Sequence, residues 1–161
     1  MAIDPRELRD AFGRFATGVT VITVNREGRL SGLTANSFSS VSLDPPLVLW
    51  SLARDADCFD EFQGAAYFAI NVLARHQETI STRFATKDVD KWAGTPHELG
   101  VTGAPLISGA LATFECHVHA RHEGGDHVIY VGEVQQVQVS ATAAPLSFYR
   151  GRYCELVEET P

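Results

Sequence analysis

Between residues 32 and 51 the chain reads Gly-Leu-Thr-Ala-Asn-Ser-Phe-Ser-Ser-Val-Ser-Leu-Asp-Pro-Pro-Leu-Val-Leu-Trp-Ser, and Thr34, Asn36, Ser37, Ser39, Ser40 and Ser42 crowd hydroxyls and an amide between two apolar runs. Such groups both donate and accept, and side chains this small leave backbone N–H and C=O groups open to a planar, oxygen-rich ligand. A cradle of that kind binds and orients. The same composition also suits a plain Ser-rich connection between strands, because Ser, Thr and Asn satisfy turn backbones locally. Asp44-Pro45-Pro46 ends the run, since neither proline can donate a ladder hydrogen bond, and Leu47-Val48-Leu49-Trp50 then reads as a buried strand.

Histidine offers a second chemistry. Of the six, four are His117, His119, His122 and His127, and His-x-His on one strand face is a chelating arrangement. His122 alternates onto the opposite face, however, and no carboxylate at ligand spacing completes a site, so an exposed or interface strand face accounts better for His117 and His119. The three cysteines, Cys58, Cys116 and Cys154, are odd in number and form no Cys-x-x-Cys pair, which suggests neither a disulfide framework nor a thiolate zinc site. No Gly-x-Gly-x-x-Gly follows a predicted strand, no P-loop lysine motif occurs, and no Ser-His-Asp or Cys-His pairing has motif context.

The elements that must position these groups are mostly strands. Asp4-Pro5-Arg6-Glu7 carries an N-cap, a proline at the first helical position and a capping-box Glu, predicting a short helix. Leu8, Phe12 and Phe15 share one face of it, as a lid on a sheet would require. Thr20-Val21-Ile22-Thr23-Val24 is β-branched throughout and Asn25 to Arg29 has turn chemistry, so a first hairpin returns through Leu30 to Leu33. Cys58 to Phe62 predicts one or two helical turns closed by Gly64. Tyr67 to Leu73 is a strand interrupted by Asn71, a buried amide that either ties strands together or meets a ligand's ring edge. Gln77 to Ala85 reads as a helix on which Ser81 and Arg83 could cap a phosphate, the alternative being a surface arginine. Residues 86–109 form a long loop, expected at a subunit contact or beside the substrate. Leu111 to His122 alternates strictly, turns at Gly124-Gly125, and pairs with His127 to Val139.

At 161 residues, 45% hydrophobic and 20% charged, the chain suits one domain over 1–161 with a core about 8–156. Thirteen Lys and Arg against 20 Asp and Glu give a net charge of −7, which argues against a nucleic-acid or anionic-membrane surface while leaving room for a local basic pocket. The N-terminus lacks an apolar signal core and no apolar run approaches the roughly 20 residues of a membrane span, so a cytoplasmic setting is expected.

The segment from Gly32 to Val48 resembles the flavin-contacting segment of the flavin reductase family, the small FMN-binding split-barrel proteins. Further similarities follow in the family's order: Thr17-Gly18-Val19 at the first strand, Phe68-Ala69-Ile70-Asn71-Val72-Leu73 beside the flavin, and Ser81-Thr82-Arg83-Phe84-Ala85. Gly125-Asp126-His127 resembles the Gly-Asp-His motif after the long hairpin turn, and Tyr149-Arg150-Gly151-Arg152-Tyr153 resembles the C-terminal segment near the flavin. The resemblance, from about Leu8 to Leu156, implies a mainly β fold: a closed antiparallel split β-barrel, Greek-key-like, with a few short flanking helices. It implies hydride transfer from NADH or NADPH to FMN or FAD, the rings stacked at about 3–3.5 Å. In that reading Thr34, Ala35, Asn36, Ser37, Asn71, Val72 and Leu73 hold the ring, and Ser51, Ser81 and Arg83 bind phosphate. Leu52, Phe84, Tyr149 and Tyr153 complete the cofactor site, and His127 positions the nicotinamide. A homodimer with flavin near the subunit interface and a flavin-dependent monooxygenase as recipient are further implications. The alternatives are a non-catalytic flavin-binding module, a His-based metal-binding β-barrel, and a relative of the pyridoxamine phosphate oxidases.

Overall fold

In the computed structural model, which describes residues 3–141, 143–157 and 159, strands form most of the regular structure. In chain order they are β1 (Thr17–Gly18), β2 (Thr20–Arg26), β3 (Arg29–Ala35), β4 (Ser39–Leu43), β5 (Pro46–Ala53), β6 (Tyr67–Val72), β7 (His97–Leu99), β8 (Pro105–Ile107), β9 (Ala112–Gly124), β10 (His127–Val139), β11 (Ser147–Tyr149) and β12 (Arg152–Cys154). Three short helices accompany them: α1 (Pro5–Phe12), α2 (Phe59–Gly64) and α3 (Glu78–Ala85). Seven strands make one antiparallel sheet in the order β3-β2-β6-β9-β10-β5-β4, with a smaller β1-β11-β12 sheet and a β7-β8 pair beside it.

The two edge strands of the large sheet, β3 and β4, are consecutive in the chain and joined only by Asn36, Ser37 and Phe38. Four extended steps from Ala35 to Ser39 reach at most about 14 Å. Seven strands laid flat would hold their edges about 29 Å apart. The sheet must therefore curl until its edges meet. Among the described residues the ladders run from β3 to β4 without joining them, so the curl and the link bring the edges together where a closing ladder was expected.

Inside the curl, Trp50 packs against Phe62, Phe68 and Tyr130 with ring centroids 5.1, 5.8 and 5.1 Å away, alongside Ile22, Val24, Leu52 and Ile70. On the other side of β2, Val21 joins Val19, Leu73, Phe84, Ile107 and Leu146 in a second cluster. Being covered on both faces explains why Thr20 to Val24 is one unbroken β-branched run instead of an alternating one. The turn into β3 uses Glu27 and Gly28 at φ 54° and 89°, the primed geometry that matches strand twist.

Two expectations change. Asp4 caps α1, its Oδ1 accepting from the Arg6 N–H at 2.8 Å, but the helix is no lid: Leu8, Phe12 and Phe15 are 38, 68 and 80% exposed. Helical spacing defined the apolar face without defining what covers it. Residues 86–109, read as one long loop, contain a short strand pair. The β7-β8 pair closes over the outer face of β2 and β6, where the Thr23 hydroxyl donates to the Pro105 carbonyl (2.6 Å), the Asn25 amide to the Gly103 carbonyl (3.0 Å) and the Trp92 indole to the Leu30 carbonyl (3.1 Å). The same cover buries Glu115, which strict alternation puts on the face of β9 shared with His117 and His119, the face expected to be exposed or at an interface. Its Oε2 accepts from the Thr102 N–H and hydroxyl at 2.8 and 2.7 Å.

Asn71 is fully buried and holds this cover in place. Its amide nitrogen donates to the Val21 carbonyl (3.0 Å) and Thr23 Oγ1 (3.2 Å), while its oxygen accepts from the Ile107 N–H (2.8 Å). The amide is thus committed to β2 and β8, tying strands together. Asn71→Ala leaves the buried Ile107 N–H unpaired and takes one donor each from the Val21 carbonyl and the Thr23 hydroxyl, and should lower the unfolding free energy by about 2–4 kcal/mol. Urea titration should show the midpoint falling with an unchanged slope.

Candidate functional site

The seam where β3 hands over to β4 is the place to build a site, because Asn36 and Ser37 lie outside the ladders and their backbone groups are not consumed by strand pairing. The flanking side chains are already used to hold the seam. Thr34 Oγ1 donates to the Ser81 carbonyl (2.5 Å), Thr20 Oγ1 donates to the Ala35 carbonyl (2.6 Å), and Ser37 Oγ accepts from the Ser51 N–H (2.9 Å). Thr34 is thereby tied to α3 and Ser37 to β5. What remains for a ligand is the Asn36 side chain and the backbone of the link.

Asn36 looks into a cleft of about 580 Å³ walled by Phe12, Phe15, Thr17, Phe148 and Gly151. The volume lies in the range of small-molecule sites, and its walls are apolar and aromatic with a few polar groups. One of those groups is unpaired: Thr17 Oγ1 is buried and has no hydrogen-bond partner among the described residues. A buried hydroxyl without a partner is costly unless something occupies the cleft. The cleft floor is continuous with the C-terminal hairpin, where the β11-β12 turn places Arg150 and Gly151 at φ 51° and 75° and the Phe148 and Tyr153 rings meet at 5.5 Å.

The proposed ring and phosphate residues do not all converge on this cleft. Ser81 is fully buried with its Oγ 2.7 Å from the Tyr153 hydroxyl, so these two residues pin α3 to β12. Arg83, two positions on and so roughly 200° around the helix, turns away. It donates to Thr95 Oγ1 at 2.9 Å and lines a separate, open cleft with Thr79, Thr82 and Thr86. A single phosphate bridging Ser81 and Arg83 is therefore ruled out by the rotation of the helix. Phe84 is core, edge-on to Trp92 at 5.1 Å, and Leu52 and Leu73 are wholly buried. The backbone of 72–73 is also committed: the Val72 carbonyl accepts from Leu111, Leu73 N–H donates to Val19, and the Leu73 carbonyl accepts from Leu146. Asn71, Val72, Leu73, Leu52, Phe84 and the Ser81 hydroxyl are thus engaged in the scaffold, and none of them lines the Asn36 cleft. Tyr149 is 39% exposed at the hairpin turn. Phe12, Phe15, Thr17 and Phe148 were not anticipated as cleft walls, although the C-terminal aromatic cluster was visible.

His127 opens β10, opposite Ala53 of β5 and Gly124 of β9. The turn before it is Gly125-Asp126, one residue later than expected, with Gly125 at φ 71°. Arg54 braces that turn, its N–H on the Asp126 carbonyl (3.0 Å) and its Nε on the Gly125 carbonyl (3.1 Å). His127 Nδ1 lies 2.7 Å from Asp126 Oδ1, which leaves Nε2 as the ring atom free to meet a ligand. The hydrogen bond from His127, and then its charge, hold the Asp126 carboxyl below the usual carboxylate range. His117 and His119 face outward, His117 against the Tyr67 ring at 5.2 Å, and among the described residues no three His, Cys, Asp or Glu side chains converge as metal ligands.

A curled seven-stranded antiparallel sheet with a cleft of small-molecule size at its seam defines a mainly β protein with a candidate ligand site. The Flavin reductase like domain model matches residues 12–157, and the chain belongs to that family. It is 44% identical over 148 residues to the FMN reductase (NADH) SmoA of Agrobacterium fabrum, covering 92% of this chain and 84% of that one. It is 38% identical over 152 residues to the reductase subunit HsaB of a flavin-dependent monooxygenase of Rhodococcus jostii, covering 94 and 78%. The solved structure of the NADH:FAD oxidoreductase SgcE6 of Streptomyces globisporus C-1027, in complex with NAD and FAD fragments, superposes with a TM-score of 0.93 at 40% identity, covering 100% of this chain and 99% of that one. Other relatives are about twice as long, the chain spanning 48 and 54% of two of them.

The two buried thiols offer no nucleophile. Burial pushes the Cys58 thiol from 9.0 to about 11 and the Cys116 thiol to about 12. At neutral pH both are protonated and unreactive. The folded chain holds these protons more tightly than the unfolded chain, so the stability they confer is complete below pH 9 and is lost as the pH rises from there towards 11 to 12. A thiol reagent at pH 8 should label only half-buried Cys154 rapidly in the native protein and all three cysteines in denaturant. Rapid native labelling of Cys58 or Cys116 would contradict this burial.

Proposed function

We infer that the chain is an NAD(P)H:flavin oxidoreductase that reduces FMN or FAD held at the seam and delivers the reduced flavin to a separate monooxygenase. The observation that carries this reading is the cleft beside Asn36, with uncommitted link backbone and the unpaired Thr17 hydroxyl in its wall. The flavin ring accepts hydride when bound, and NADH or NADPH supplies it. The chain's own residues position and exclude. Asn36 and the backbone of 35–37 would hold the ring's polar edge, and Thr17 would contribute one further hydrogen bond. Phe12, Phe15 and Phe148 would keep water from its apolar face, which matters because a reactive hydride must not meet bulk solvent. His127, with Nδ1 fixed on Asp126, would present Nε2 to the nicotinamide.

Several finer points belong to the same reading. The curled sheet is the family's split barrel, with the 36–38 link crossing the split. The exposed Phe12 and Phe15, which wall the cleft on one side only, support a homodimer in which a second copy completes it. The reductase components among the relatives support a monooxygenase partner. Three free cysteines, two of them deeply buried, suit a reducing cytoplasmic setting. Among the described residues no helix is long and apolar enough to cross a membrane.

Anaerobic mixing of the protein with FMN or FAD and then NADH or NADPH should bleach the flavin's visible absorbance, and the four pairings rank the cofactors. Flavin binding without bleaching would favour a non-catalytic flavin module, and no binding would remove the cleft from consideration. His127→Ala should lower kcat/KM for the nicotinamide by roughly 10- to 100-fold, the loss of a positioning contact, while flavin affinity stays within twofold. Equal loss of both would reassign His127 to the flavin or to the fold.

A further inference from the structure

On a chain of net charge −7, three arginines from two separate segments meet at one cleft. Arg9 stands in the last turn of α1, Arg14 follows the helix, and Arg150 occupies the β11-β12 turn. Their segments are tied together, because the Arg150 N–H donates to the Gly13 carbonyl at 2.9 Å and the Gly13 N–H donates to the Arg9 carbonyl at 2.9 Å. Together with Asp10, Gly13 and Gly151 the three arginines line a cleft of about 310 Å³. Asp10 is the one carboxylate in it. None of the three guanidinium groups forms an ion pair among the described residues, whereas Arg29, Arg54 and Arg75 each do. Three cations against one anion leave an uncompensated positive cleft, the environment that planar donor forks make for phosphate oxygens.

Position gives that cleft a use. Arg9, Gly13 and Gly151 also line the cleft that holds Asn36, so the two clefts are neighbours that share these residues. Arg9 also lies close enough to Asp126 to add to the depression of its carboxyl, after the larger contribution of His127. The positive cleft therefore lies beside the ring cleft. We propose that Arg9, Arg14 and Arg150 form the docking site for the pyrophosphate of a dinucleotide cofactor whose ring lies in the neighbouring cleft. This proposal rests on the reductase reading. It supplies the phosphate contact that Ser81 and Arg83, facing opposite ways, do not make together. NAD(P)H and FAD both carry the pyrophosphate, and FMN carries a single phosphate.

The test uses the full chain with Arg14→Gln and Arg150→Asn, singly and combined. Asparagine tolerates the left-handed backbone at position 150, so the turn is kept. Arg6→Gln, on the same helix but outside the cleft, controls for net charge. The combined variant should raise KM for NADH or Kd for FAD by about tenfold, with a shallower salt dependence, while Kd for riboflavin stays within twofold and Arg6→Gln changes nothing. A rise in the NADH constant alone assigns the site to the nicotinamide cofactor, and a rise in the FAD constant alone assigns it to the flavin. Calorimetric titration with ADP, which carries the pyrophosphate without either ring, should show binding to wild type that the combined variant loses. Unchanged NADH, FAD and ADP constants would overturn the proposal and leave the arginines as neutralisers of the α1 C-terminus, and so would an equal loss for riboflavin. If wild type fails to bleach flavin, the reductase reading fails by itself, and the FAD and ADP titrations still decide the arginine site.

Discussion

A three-residue link governs this structure. Because Asn36, Ser37 and Phe38 must connect strands that lie at opposite edges of one sheet, the sheet has no flat solution, and its curl creates both an interior and a seam. The interior is filled by Trp50, Tyr130, Phe62 and Phe68. The seam cannot be filled in the same way, because a ladder there would need the residues that make the link. Backbone polar groups at a seam must find partners, and the structure supplies some through Ser37 and Thr34 while leaving others facing a cleft. The candidate site is thus a consequence of the topology and not an addition to it.

Keeping the seam in register depends on pegs driven from outside the sheet. The Asn71 amide and the Thr23 hydroxyl reach from β6 and β2 to the β7-β8 pair, and the Ser81–Tyr153 contact joins α3 to the C-terminal hairpin. Since Thr34 bonds the carbonyl of the same Ser81, the last turn of β3 is coupled through α3 to β12. Residues that a sequence motif places beside the flavin therefore act largely through the scaffold. They set where the link lies.

What could be read from the sequence follows a physical division. Local rules worked: the β-branched run of β2, the primed turn at Glu27-Gly28, the Asp4 cap and the period-two pattern of β9 all report the backbone near each residue. Long-range cover was not legible. Alternation placed Glu115 on a face expected to be exposed or at an interface, and only the β7-β8 pair, folded back from residues 97–107, shows what covers it there. Likewise the 8, 12, 15 spacing in α1 revealed an apolar face but not its neighbour. Ser81 and Arg83 stood close together in the motif, yet helix rotation sends them apart, which the spacing alone could have warned of. Asn71 was ambiguous for a deeper reason: a buried amide that clamps strands and one that clamps a ring have the same residue type in the same strand.

Charge closes the account of binding. A molecule of net charge −7 repels anionic cofactors only over about a Debye length, close to 8 Å at physiological salt, so the far surface contributes little and the nearest few charges decide. Around the cleft those charges are Arg9, Arg14 and Arg150, with Asp10 opposed. Exposed guanidinium groups hold phosphate with modest free energy each, of order 1 kcal/mol. A cleft with open walls and a few such contacts favours exchange over permanent retention, since its occupant is neither sealed in nor covalently held. That is the binding regime a protein needs if reduced flavin is to leave it for another enzyme.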